Sequence, residues 1–137
     1  MKTALTLATL TLATALAPAA APAQVMASYY ATIGDEDRRN SRGARLADPA
    51  AVIQQDRANF HRFGIRHEGD HSDPFFANPD LRAQIPALYA RGRRFGPMEQ
   101  AILSPGPHYV LVFVCGPRSQ PTHINVDYAD GDSHMGC

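Results

Sequence analysis

The chain has 137 residues, with thirteen Lys and Arg against thirteen Asp and Glu, two cysteines and no tryptophan. That balance offers no general attraction to nucleic acid or to an anionic membrane surface, and the length suits one domain with a modest core. Lys2 is the sole lysine, so the other twelve basic residues are arginines, whose rigid fork favours multi-donor contacts.

Residues 1–23 read as a cleaved secretory signal peptide. Met1 and Lys2 form a short positive leader, residues 4–17 are an uncharged run of Ala, Leu and Thr, and Ala21 and Ala23 meet the small-residue requirement for a cut after Ala23. The apolar run is too short to span a bilayer comfortably, and no later stretch predicts stable membrane insertion. Residues 24–137 are then a single compact α+β domain of formal charge −1, expected in the periplasm or secreted.

In chain order, "VMASYYATIG" predicts the first strand, with Tyr29 and Ile33 on one face and Tyr30 and Thr32 on the other. "GDEDRRNSRG" reads as a turn-rich loop, and "ARLA" as a short second strand. "DPAAVIQQDRANFHRFG" is the clearest helix: Asp48 suits the N-cap, Pro49 the first helical position and Gly64 the stop. Ile53, Arg57 and Phe60 share its inner stripe, Phe60 and Phe63 are placed to seal its end, and Asp56, Arg57 and Asn59 form a candidate structural hydrogen-bond network.

"NPDLRAQIPALYARG" opens a second helix on Asn78 and Pro79, with Pro86 predicting a kink or split. "GPMEQAILSPG" allows one further short helix. "HYVLVFVC" is continuous and β-branched enough to be a central strand, and the alternating "HINVDYA" should pair antiparallel with it, Ile124, Val126 and Tyr128 on one side. The order predicts a small antiparallel sheet with two or three helices packed on one face.

The segments "YYATIGDEDRRNSRGARL", "QQDRANFHRFGIR" and "DPFF", spanning 29–76, resemble a group of small exported bacterial proteins without an assigned activity. The resemblance implies export and a compact domain, and brings no catalytic residues with it.

Several clusters could carry chemistry. His67 and His71, with Asp70 and Asp73, are possible zinc or copper ligands. Gly69 and Pro74 argue against a helix there, which removes the meaning of the four-residue spacing, and an exposed loop anchored by Phe75 and Phe76 is the simpler expectation. Asp127, Asp130 and Asp132 offer oxygen donors for calcium, without the full series of an EF-hand loop. Arg38, Arg39, Arg42 and Arg45 could rim a recognition surface, against the alternative of a solvated loop balanced by Asp35, Glu36 and Asp37. No Gly-x-Ser-x-Gly elbow or phosphate-binding glycine loop is present, and no cofactor is implied.

Cys115 and Cys137, the two cysteines of an exported chain, are expected to form an intramolecular disulfide, with free thiols, an intermolecular bridge and metal ligation as alternatives. The functional expectation is a non-catalytic exported binding or accessory domain acting on a protein, glycan or envelope component. The alternative is a small metal-dependent or hydrolytic enzyme using the 67–73 loop.

Overall fold

The structure, a computed structural model, describes residues 22–118, 120–131 and 136–137. Among them, β1 (Gln24–Ile33), β2 (His108–Gly116) and β3 (His123–Tyr128) form one antiparallel sheet with β2 in the centre. Ile33 pairs with His108 and Gln24 with Gly116, broken by a bulge between Val25 and Ala27. β3 returns beside β2, Cys115 opposite His123 and Val110 opposite Tyr128.

Alternation along the strands decides what each face carries. Tyr29, Ala31 and Ile33, then Val110, Val112 and Val114, then Ile124 and Val126 point into the main core. Leu111, Phe113 and Cys115 take the opposite face and make a second cluster with Tyr30, Ala129 and Cys137. A strand buried on both sides needs an unbroken apolar run, and β2 has one. Tyr128 has the parity of Ile124 and Val126 but lies at the strand end, 37% exposed, with its ring edge-on to Phe95.

The helices lie between β1 and β2 in sequence and cover one face of the sheet. α1 (Pro49–Ala58) starts on Asp48, whose carboxylate accepts from the Ala50 N–H at 3.1 Å. It runs into a π-turn (Asn59–Phe63) that ends at Gly64 in the left-handed conformation, φ 68°. α2 (Pro79–Ala83) begins on Asn78, which accepts from the N–H groups of Asp80 and Leu81. α3 (Ile85–Arg91) follows after a break at Gln84, because Pro86 has no N–H to continue the ladder. α4 (Gly96–Leu103) completes the layer. Ile53, Ile85, Leu88, Met98 and Ile102 are its contribution to the core, joined by Phe76 from the turn before α2, each stabilising by about 1.5–3 kcal/mol on burial.

The segment between α3 and α4 shelters the β3 edge. Arg91 Nε donates to the Thr122 carbonyl, the Arg93 N–H donates to Asn125 Oδ1, and a Cβ on Gly92 would stand 1.8 Å from the Ile124 oxygen. Buried Asn125 also donates to the Gly136 carbonyl at 2.7 Å, and the Cys115–Cys137 disulfide, Cα atoms 5.7 Å apart, fastens the same tail to the outer face.

"ARLA" does not form a strand. An isolated bridge joins Arg39 and Arg45, and the loop is organised by the Arg38 side chain instead. That guanidinium donates to the carbonyls of Ile33, Ile102 and Gly106 and pairs with Asp35 at 3.0 Å. A cation at the end of α4 meets the carbonyl pole of that helix. Among the described residues, no helix is long and apolar enough to cross a membrane.

Candidate functional site

The end of β1, the π-turn and the 67–73 loop bring polar side chains together in two adjoining clusters. In the first, Asp37 accepts from the Gly34 N–H and from Asn59 Nδ2, both at 2.8 Å, and Asn59 Oδ1 accepts from Gln55 Nε2 at 2.9 Å. Asp70 accepts from the N–H groups of Thr32 and His67. The His67 ring lies among carboxylates: Nε2 is 3.1 Å from Glu36, and Nδ1 is 3.5 Å from Asp37 and 3.6 Å from Asp70. Burial pulls the imidazole pKa down, but the Glu36 hydrogen bond and the Asp37 and Asp70 charges outweigh it and raise the value above the ordinary one. Burial in turn raises Asp37.

The second cluster centres on Arg57 and Asp73. Arg57 Nε meets Asp56 at 2.7 Å, and Nη1 reaches the His71 carbonyl at 2.9 Å and Asp73 at 3.2 Å. Its guanidinium lies between the Tyr29 ring, 4.2 Å away, and the Phe60 ring, 4.8 Å away, a desolvated cation–π arrangement. Asp73 also meets His61 at 2.7 Å and accepts from the N–H groups of Phe75 and Phe76. Although burial opposes it, these hydrogen bonds and the Arg57 charge hold the Asp73 carboxyl below its usual value. Asp56 goes the other way: burial, opposed by Arg57 and aided by Asp37, pushes it up to about 7.

The candidate metal residues therefore divide. His67 and Asp70 belong to the first cluster, Asp73 to the second, and His71 contributes its carbonyl to Arg57 while its ring stands edge-on to Tyr30. Among the described residues, no group of three or more His, Cys, Asp or Glu side chains is arranged to hold a metal ion. The expectation of a merely exposed loop is also corrected, since the Asp70 and Asp73 side chains are 2% and 0% exposed. Their carboxylates turn inward because backbone N–H groups on β1 and in the 75–76 turn need acceptors there.

Of the candidate calcium ligands, Asp127 accepts from the Tyr128 N–H and Asp130 is exposed, while Asp132 lies outside the described residues. The arginine rim is likewise reduced. Arg38 is 1% exposed and clamps the loop from inside, leaving Arg39, Arg42 and Arg45 at the surface, with Arg45 donating to the Leu103 carbonyl. Asp56, Arg57 and Asn59 are all buried, but Asn59 bonds into the Asp37 cluster and the other two into the Asp73 cluster.

Above the first cluster runs an open groove of about 420 Å³. Its lining includes Glu36, Arg39 and Asn40 from the loop after β1, Gln55 and Asn59 from α1 and the π-turn, and Phe63 and Ile65. Phe63 does not seal the core: the wider π-turn winding takes it off the Phe60 stripe, and it is 45% exposed, beside Ile65 at 42%. The Ile65 N–H donates to the Asn59 carbonyl, and Asn40 Oδ1 accepts from the N–H groups of Arg42 and Ala44, so both lining segments are pinned.

Nothing in the sequence singled out Gln55 or His61, and it put Asp37 and Arg38 at the surface, where the structure buries both. Asp37 and Arg38 sit inside a charge run that resembles any solvated loop. Asp73 did carry a signal, because an Asp before Pro-Phe-Phe can accept from the backbone two and three residues on. No protein-family model, curated protein or solved structure matches the chain.

Proposed function

We propose that the chain is an exported, non-catalytic domain that binds an extended segment of another envelope or extracellular protein in the groove beside the π-turn. The exposure of Phe63 and Ile65 beside a groove of about 420 Å³ carries this reading. Two large apolar side chains close in sequence are kept in water, while Asn59 in the same groove is held by its hydrogen bond to Asp37. Pre-organisation of that kind lowers the cost of association. Arg39, which lines the same groove, suits a carboxylate near the apolar anchor. The hydrogen-bonding capacity of Asp37, Asp70 and Asp73 is directed at backbone N–H groups and neighbouring side chains, which shapes the groove.

A photo-crosslinking amino acid at position 63, with position 95 as the control, tests this in the native envelope. The expected result is one adduct specific to position 63, mapping to a segment with an apolar and an acidic residue. A synthetic peptide of that segment should bind the purified domain and lose at least about tenfold in affinity to Phe63→Asp, a buried apolar anchor being worth more than 1.4 kcal/mol. Equal labelling at both positions, or peptide binding indifferent to Phe63→Asp and to Arg39→Gln, would defeat the proposal.

A further inference from the structure

We infer that Gln24 becomes a pyroglutamyl residue in the mature protein. The inference rests on export with cleavage after Ala23, which would place Gln24 at the new N-terminus. Pro22 and Ala23 are exposed and precede the sheet, whereas Gln24 is the first residue of β1. The first described strand thus begins at the residue that follows the expected cut. Gln24 is itself exposed and lines an open cavity of about 300 Å³ with Val25, Met26, Phe75 and Arg118. Among the described residues its carboxamide makes no hydrogen bond, so nothing there holds it away from its own amine.

The chemistry balances within one residue. The neutral α-amine attacks the side-chain carbonyl carbon, a nitrogen–carbon bond closes a five-membered lactam, and the original carbon–nitrogen bond of the carboxamide breaks. Ammonia leaves with a proton from the attacking amine, and no oxidant or other reactant is required. An α-amine ordinarily titrates at about 7.7–8.0, so a neutral fraction exists near pH 7. Ring closure removes the terminal charge from the end of β1 while keeping one N–H at the position opposite Gly116. It also closes that end to aminopeptidases.

The test uses the full chain, leader included, exported from a bacterial host and digested with trypsin after denaturation. The expected N-terminal peptide runs from Gln24 to Arg38, is lighter by one ammonia, resists Edman degradation, and loses its first residue to pyroglutamyl peptidase. A Gln24→Asn variant, which would need a strained four-membered ring, should keep its full mass and a free amine. If the peptide starts at an uncyclised Gln24 after prolonged incubation at mildly alkaline pH, the ring is refuted while the cut stands. If it starts at another residue, the cleavage site is refuted and the ring with it.

Discussion

Replacing Asp73 with alanine removes the acceptor on which four donors converge: the N–H groups of Phe75 and Phe76, Arg57 Nη1 and His61 Nε2. The side chain is 0% exposed, so water does not replace it without opening the loop. Two backbone donors lose a charged acceptor, and Arg57 keeps Asp56 and the His71 carbonyl but loses half of its carboxylate pairing. Removing one member of a buried charged network costs about 3–5 kcal/mol, a large share of a total of about 5–15 kcal/mol. With a urea dependence of about 1.5 kcal/mol/M, the unfolding midpoint should fall by about 2–3 M at unchanged slope. Asp73→Asn keeps a neutral acceptor for the two N–H groups and should lose about half as much. Urea titrations near neutral pH, in buffer treated with a chelator, give the comparison. A loss below about 1 kcal/mol for the alanine variant would refute the hub, since an exposed acceptor costs about that much. A destabilisation present only with added zinc would instead place Asp73 in a metal site.

The disulfide, the close approach of Gly92 and the buried titrating groups give further expectations. Closing a 22-residue separation stabilises by about 3 kcal/mol in the chain-entropy account, so Cys137→Ser should lower Tm by about 10–15 °C in calorimetry. Wild-type protein under reductant should then melt with the variant; a shift of only a few degrees would count against that account. Gly92→Ala forces a Cβ to within 1.8 Å of the Ile124 oxygen and should destabilise by about 3 kcal/mol or more. Gly96→Ala, which meets nothing within 4 Å, should stay within about 0.5 kcal/mol, and equal effects of the two would refute the contact. The His67 pKa is raised in the fold above its ordinary 6.5, so its stabilisation is complete below that value and is lost as pH rises through the folded one. The stability gap between wild type and His67→Gln should therefore narrow as pH increases above 6.5; a gap that widens would reverse the assignment. Asp56 should titrate at about 7 by carbon NMR, instead of near 3.8.

What the sequence determined by itself was the local and periodic part. Asp48-Pro49 and Asn78-Pro79 start helices because a side-chain oxygen and a missing N–H act within one turn. Pro86 splits the second helix for an equally local reason, and the apolar run of β2 shows that both its faces are covered. The Cys115–Cys137 pairing was legible because the chain has two cysteines and one of them lies next to the end of β2.

Only the tertiary structure decided which polar residues go inside. Asp37 and Arg38 stand in a charge run with Asp35, Glu36 and Arg39, and composition does not separate them. Arg38 is buried because three carbonyls at the ends of β1 and α4 and in the following turn converge on it, from residues as far away as Gly106. Asp73 is fixed by its own turn, yet its ion pair with Arg57 exists only once α1 packs over β1. The groove has the same origin: a π-turn at Asn59–Phe63 moves one phenylalanine from core to surface. Backbone groups left without partners by the packing of distant elements draw these side chains inward, and a residue's neighbours in sequence carry no record of that demand.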